Sequence, residues 1–237
     1  MSTTLLETHA LAKHFGGAHV INGIDFAIGE GEIRCVIGPN GAGKSTFFKL
    51  ITGEHRPSAG SVSFLGRDLN HVLPHERIRM GMSIKFQIPG IFPELTVRQH
   101  LQLGLHRAKD DRVESLEQLL HQFLLNEEEQ VLAGNLSHGK KQWLEIAMAV
   151  SLKPKLLFLD EPVAGMSAEE THATGELIMG LRERGLTIMV VEHDMTFVRQ
   201  VATRVTVLHA GRLFADGPLE EILARDDVAE IYLGKKK

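Results

Sequence analysis

The chain has 237 residues, 43% of them apolar and 24% charged, a balance that excludes a disordered or low-complexity polypeptide. Cys35 is the only cysteine, which removes a disulfide framework and any multi-thiolate metal centre. The 26 basic and 30 acidic side chains leave a formal charge of −4, which argues against a dedicated nucleic-acid binder. No apolar run approaches the roughly 18–20 residues that span a bilayer. The first ten residues lack a basic stretch followed by an apolar one, so no secretory signal is expected.

The first 35 or so residues read as short extended pieces. Ile24, Phe26 and Ile28 alternate, Gly29-Glu30-Gly31 makes a turn, and residues 33–37 form a compact apolar strand. A Gly-rich segment follows at 38–43, then a helix from about Lys44 with Phe47, Leu50 and Ile51 on one face and Gly53 past its end. Another strand lies at 61–64, between Gly60 and Gly66.

From about Gln87 to Pro154 the pattern becomes helical. Thr96 can cap a helix carrying Val97, Leu101 and Leu105. A second helix places Val113, Leu116, Leu120, Phe123 and Leu124 at helical spacing. A third starts near His138, carries Trp143, Ile146, Ala147 and Val150 on one stripe, and stops at Pro154. The α/β alternation then returns with a buried strand at 156–159 and a helix opened by Ser167, whose capping box closes at Glu170. A strand at 186–191 and a hairpin from 205–209 and 212–215 complete the chain. The expected fold is α/β: a core with an N-terminal antiparallel β region and an inserted α-helical subdomain. Residues 1–86 and 156–237 make the core and 87–155 the helical subdomain.

Residues 38–45, Gly-Pro-Asn-Gly-Ala-Gly-Lys-Ser, fit G-x-x-x-x-G-K-[ST] between a strand and a helix. Gly38, Asn40, Gly41 and Gly43 let the backbone wrap with its N–H groups inward, and the helix N-terminus adds a positive dipole end. Lys44 reaches the β- and γ-phosphates of ATP, the Ser45 hydroxyl ligates Mg²⁺, and Thr46 continues the phosphate-binding turn. The strand at 156–159 delivers Asp160 and Glu161 at its C-terminal end, where ligands of open α/β sheets bind. Asp160 would hold Mg²⁺ through water and Glu161 would polarise the attacking water.

These motifs make the core an expected P-loop NTPase, nucleotide-binding core. They resemble the ATP-binding subunits of ABC transporters (ABC ATPase fold), and further motifs extend the resemblance over essentially the whole chain. Leu136-Ser137-His138-Gly139-Lys140 looks like the Leu-Ser-Gly-Gly-Gln signature, with Ser137 and Gly139 as its phosphate-facing positions. Gln87 looks like the Q-loop glutamine, a metal-binding and catalytic position, and His193 like the switch histidine that senses the γ-phosphate. Phe15 stands where the family has an adenine-stacking aromatic; it either stacks there or packs in the core. The resemblance implies a head-to-tail dimer with a sibling or identical ATPase subunit, each ATP lying between the phosphate loop of one and the signature of the other.

The chain departs from the pattern at His138, Lys140 and Ser167. His138 is either a tolerated substitution or a group beside the γ-phosphate whose protonation tunes closure. Ser167 replaces an aspartate that communicates between ATP sites, and its capping box gives a structural reason for a small oxygen-bearing residue. Residues 87–95 put Ile91 and Phe92 on a Pro- and Gly-rich loop, which either folds over the helical insert or receives a membrane permease subunit. Trp143 is expected in the core of the insert, and His71 and His75, interrupted by Pro74, make an improbable metal pair.

The finer resemblance is to importers of branched-chain amino acids and urea, with residues 137–145, 161–166 and 231–234 most like the urea branch. It implies a peripheral ATPase at the cytoplasmic face of the membrane, working with permease subunits and, indirectly, a solute-binding protein. Nucleic acid is not an expected partner. The rival readings are a branched-chain amino acid importer, a lipid or polysaccharide exporter, and a soluble ABC ATPase of a cluster-assembly scaffold.

Overall fold

The computed structural model describes residues 3–85, 90–107 and 115–233. The chain opens with β1 (Thr4–Phe15), β2 (Ala18–Gly29) and β3 (Ile33–Ile37), followed by α1 (Lys44–Thr52). Next come β4 (Ala59–Phe64), β5 (Arg67–Asp68), α2 (Pro74–Arg79) and β6 (Met82–Lys85). Three helices, α3 (Val97–Arg107), α4 (Leu116–Gln122) and α5 (His138–Ser151), precede β7 (Leu156–Asp160). The chain continues through α6 (Ala168–Glu183), β8 (Thr187–Val191), α7 (Met195–Val201), β9 (Arg204–His209) and β10 (Arg212–Pro218). It ends with α8 (Leu219–Leu223) and α9 (Asp226–Leu233).

Two sheets result. An antiparallel sheet has the order β2-β1-β4-β5, and a larger one the order β10-β9-β3-β8-β7-β6. The larger sheet is parallel from β9 to β6, with β10 added antiparallel at its edge. Its central strands are wholly buried, and their period-two alternation sorts side chains into two apolar layers. Val36, Phe158, Met189 and Val191 point towards α1 and the antiparallel sheet. Cys35, Ile37, Leu157, Leu159, Ile188 and Val190 point into a layer shared with α3, α4, α5, α6 and α7. The strands are therefore clamped on both faces, which fixes the level at which each one ends.

The amino-terminal segment differs from its expected short pieces. β1 and β2 are each 12 residues long, and their pairing slips register at four places along β1. Each slip reverses the inward-facing phase, so the period-two pattern breaks in the sequence while the strand runs on. Leu124 also departs from its expected place on the α4 stripe. It lies beyond the helix at φ +53° and is half exposed, while Leu125 is buried in its stead. Val113 lies outside the described residues. α5 stops at Ser151, with Leu152 as its cap, three residues before Pro154.

Candidate functional site

The register of the parallel sheet builds the site. β8 lies between β3 and β7, and Val191 is level with both Val36 and Asp160. The Gly38 loop, the Asp160-Glu161 pair and the Glu192-His193 pair therefore leave the same edge of the sheet side by side, at its C-terminal end.

The loop from β3 to α1 turns on three glycines with φ values of +151° at Gly38, +79° at Gly41 and +102° at Gly43. A Cβ at Gly38 would lie 2.2 Å from the Leu208 carbonyl oxygen, and one at Gly43 would lie 2.8 Å from Ile21 Cδ1. The loop is thus pressed against β2 and the β9–β10 hairpin, where Gly211 N–H donates to the Ala42 carbonyl at 3.0 Å. Lys44 lies across it, Nζ donating to the carbonyls of Gly38 (2.6 Å) and Pro39 (3.1 Å). Burial lowers its pKa, opposed by the nearby Glu161 and Asp160 carboxylates. Asn40, Gly41 and Ser45 are exposed at the mouth of the loop, with Thr46 half-buried behind them.

Asp160 is 9% exposed. Burial, reinforced by the Glu161 carboxylate, raises its pKa from 3.8 to about 6, against the pull of Lys85 and Lys49. Glu161 sits at φ +47°, a backbone conformation that costs a non-glycine residue of order 1–3 kcal/mol. Its N–H donates to the Val191 carbonyl at 2.9 Å, which ties the strained residue to β8. His193 is largely exposed and presents Nδ1 3.7 Å from Glu161 Oε1 and 3.6 Å from Glu192 Oε2.

Glu192 was not singled out by the sequence reasoning. Its carboxylate is wholly buried and accepts backbone N–H groups from Val163 (3.4 Å), His193 (2.7 Å) and Asp194 (3.0 Å). It thereby joins the loop carrying His193 to the one after Glu161. A charged residue ending an apolar strand, directly before histidine and the α7 cap Asp194, was the available signal.

The start of α5 lies against the segment after Glu161. Ser137 caps α5 by accepting the Lys140 N–H at 3.3 Å, and both Ser137 and His138 are exposed while Gly139 is buried. Ser167 caps α6 as expected: its hydroxyl accepts the Glu170 N–H (3.2 Å) and Glu170 Oε2 accepts the Ser167 N–H (2.9 Å). His138 Nε2 meets the Ala164 carbonyl at 2.8 Å. Lys140 turns the other way, to the Leu124 carbonyl and to Glu128 at 3.0 Å.

Phe15 is 45% exposed, edge-on to His55 at 5.3 Å, with Lys13 Nζ 4.8 Å from its ring centre. That exposure removes the core-packing alternative. Gln87 lies outside the described residues, as do positions 86, 88 and 89. Of the proposed docking loop, Phe92 is 55% exposed and Ile91 half-buried. Beside them a cavity of about 620 Å³ opens between β6, α3 and α5, lined by Ile84, Lys85, Phe92, Leu103, Glu145 and Met148 among others. Trp143 is buried and donates to Thr174 Oγ1 at 2.8 Å, so it joins α5 to α6 and serves more than the core of the helical insert. Among the described residues no cluster of His, Cys, Asp or Glu is arranged for a metal, and no helix is long and apolar enough to cross a membrane.

A parallel sheet whose edge gathers a lysine-bearing phosphate loop and two carboxylates defines a nucleoside-triphosphate-hydrolysing α/β domain. The ABC transporter family model matches residues 21–164. Over 254 aligned residues the chain is 34% identical to the high-affinity branched-chain amino acid transport ATP-binding protein LivG of Salmonella typhimurium, covering 99% of this chain and all of that one. It is 32% identical to the corresponding BraF of Pseudomonas aeruginosa, with the same coverage. Its fold superposes with a TM-score of 0.87 on an ATP-binding cassette of an ABC transporter in its ADP conformation, 29% identical, covering 99% of this chain and 100% of that one. The chain belongs to the ABC transporter family. It is an ATP-binding subunit with the ABC ATPase fold, an ATPase coupled to transport.

Proposed function

We propose that the chain hydrolyses ATP to drive a membrane importer, with branched-chain amino acids as the solute. The observation that carries the catalytic part is the convergence of Lys44, Asp160, Glu161 and His193 on one edge of the parallel sheet. Lys44 and the N–H groups around Gly41 and Gly43 cradle the β- and γ-phosphates, with Asn40 and Thr46 at the rim and Phe15 under the adenine. The glycine geometry at Gly38 and Gly43 supports such a cradle, because it lets the loop lie directly against the Leu208 carbonyl and Ile21, where a Cβ would force it out of shape.

The Ser45 hydroxyl and the Asp160 carboxylate are hard oxygen donors suited to Mg²⁺, which when bound supplies charge neutralisation at the phosphates; Gln87 is proposed as a further donor. Glu161 accepts a proton from the attacking water, and its tie to β8 holds the carboxylate where that water must sit. His193, whose Nδ1 lies 3.7 Å from the same carboxylate, orients the γ-phosphate from the opposite side.

Ser137 and Gly139, exposed and buried respectively at the start of α5, would close on the γ-phosphate held by a second ATPase subunit, identical or sibling, in a head-to-tail dimer. Residues 87–95 and the adjacent cavity would receive a permease subunit at the cytoplasmic face of the membrane, with a solute-binding protein acting through that permease. The half-exposed Phe92 and the apolar lining support this docking.

The branched-chain assignment is supported by full-length relatives that bear that solute in their names. Urea, the solute favoured by the likeness of residues 137–145, 161–166 and 231–234 to the urea branch, gains no support from those relatives and stands second. Uptake of labelled leucine and labelled urea, in cells expressing the chain with its own permease subunits, separates the two. Leucine uptake that Lys44→Ala abolishes is the expected result. Urea uptake with that dependence would reassign the solute, and uptake of neither depending on Lys44 would remove the importer reading.

A further inference from the structure

The segment running from Glu161 into α6 touches the start of α5 at two places that the nucleotide chemistry leaves unused. One is the 2.8 Å contact from His138 Nε2 to the Ala164 carbonyl. A carbonyl has no proton to give, so the imidazole carries its proton on Nε2 and donates it. The other is Glu170, whose carboxylate lies over Gly139 so closely that a Cβ there would stand 2.4 Å from Oε1. The second oxygen of that carboxylate accepts the Ser167 N–H. The His138 ring also rests on Gly165, where an added Cβ would approach Nε2 to 3.2 Å and φ is +75°. The 164–167 stretch is therefore pinned to the first turn of α5 near both of its ends.

We propose that His138 is a positioning residue for ATP hydrolysis: its Nε2–H, bonded to the Ala164 carbonyl, locks the segment that follows Glu161 to the turn that carries Ser137 and Gly139. The inference rests on the assignment of Glu161 to one ATP site and Ser137 to the next. Through this tie, closure of the α5 turn on a γ-phosphate in one site shifts the strained carboxylate end of β7 in the other. The glycine that the signature of the resembled family has here offers no side chain for such a tie. The substitution at 138 is thus an added donor, aimed at a backbone acceptor of the same chain. Its hydrogen bond goes to Ala164, away from Lys44 and the phosphate loop of its own chain, so the main effect of its loss is expected on turnover.

Steady-state ATPase kinetics and thermal melting on the full chain test this, comparing the parent with His138→Ala, His138→Gln and His138→Leu. Loss of one hydrogen bond in the active geometry predicts a roughly five- to tenfold fall in kcat for His138→Ala, with KM for ATP within about twofold of the parent. His138→Gln, which keeps an N–H of similar reach, is expected to recover kcat to within about twofold. His138→Leu fills the space without a donor and is expected to behave as His138→Ala does, which keeps the comparison decisive should the smaller side chain impair folding. Parental kcat in His138→Leu, equal losses in His138→Leu and His138→Gln, or a rise in KM at constant kcat would each overturn the proposal. Glu161→Gln serves as the control. Turnover that survives it overturns the carboxylate assignment itself, a failure distinguishable from failure of the tie.

Discussion

α1 begins behind Gly43, which has no side chain to cap its first turn. α5 begins behind Ser137, α6 behind Ser167 and α7 behind Asp194, and in each the cap oxygen accepts a backbone N–H of the first turn. The same opposition extends to the residues around these helix starts. Near α1 lie a strained Glu161, a desolvated Asp160 and a Lys44 whose charge burial disfavours. At the start of α5 the groups are tied down, by the Ser137 cap, by the Ser167–Glu170 capping box of α6, by Trp143 on Thr174 and by His138 on Ala164. Unsatisfied donors and uncomfortable charges are what a polyanion and a cation relieve on binding. Under the proposed dimer, an α5 start already tied down would keep its shape until a second subunit arrives.

The comparison is broken most severely at Asp160. Its native pKa of about 6 lies above the unfolded value of 3.8, so between those pH values the native state binds more protons than the unfolded one. The stabilisation this brings is complete below about pH 4 and lost as the pH rises through about 6. At neutral pH the buried charge is therefore a burden on the fold. Asp160→Asn is expected to lower ATP turnover by about 100-fold or more, while raising the melting temperature at pH 7 and converging with the parent near pH 4. Melting curves across that range, alongside ATPase rates, check both halves. A variant less stable than the parent at pH 7 would mean that Asp160 is satisfied in the native state, and the contrast between the two regions would fail there.

A matched pair of glycine substitutions sharpens the contrast. Alanine at Gly43 meets both a positive φ and the Val20 carbonyl oxygen at 3.1 Å, in addition to Ile21. The Val20 carbonyl cannot yield without moving β2, and the positive φ is strained for any side chain, so Gly43→Ala should cost about 1–3 kcal/mol and weaken ATP binding about tenfold or more. Alanine at Gly139 meets the tip of the Glu170 side chain, which can swing away. There the helix gains about 1 kcal/mol in propensity, which offsets the loss of one capping-box bond. Gly139→Ala should melt within a few degrees of the parent and bind ATP alone with unchanged affinity. Calorimetric titration with ATP separates the two outcomes.

The two regions also differ in how far the sequence discloses them. The phosphate loop was legible because glycine spacing and Lys-Ser between a strand and a helix leave few other uses for that pattern. Asp160 and Glu161 were legible because an apolar strand must end somewhere, and carboxylates at that end face the ligand edge. The strain at Glu161 was not, since a φ of +47° on a glutamate has no marker in its residue type or its neighbours. Glu192 escaped because its role is to accept three backbone N–H groups, two of them from residues beside it and one from a loop 29 positions away. The length of β1 and β2 was hidden by register slips that disrupt alternation. The Ser167 capping box was readable as a local pattern, whereas its link to Gly139 through Glu170 depends on how α5 and α6 meet.

The smallest expected effects come from Ser137 and Ser167, and they decide whether the two caps on the relaxed side are equivalent. Each hydroxyl accepts one first-turn N–H, at 3.3 Å in α5 and 3.2 Å in α6. Ser137→Ala and Ser167→Ala should therefore each cost about 0.5–2 kcal/mol of stability. Ser167 spends its oxygen within its own chain. Ser137 is exposed, and in the proposed dimer its hydroxyl would have the neighbouring γ-phosphate as a further acceptor. In a Glu161→Gln background, where ATP binds and turnover is slowed, Ser137→Ala should also reduce the ATP-dependent dimer seen by size-exclusion chromatography, and Ser167→Ala should leave it unchanged. Equal dimer loss in both variants would trace the effect to helix stability, and the assignment of the α5 start to the neighbouring ATP site would have to be withdrawn.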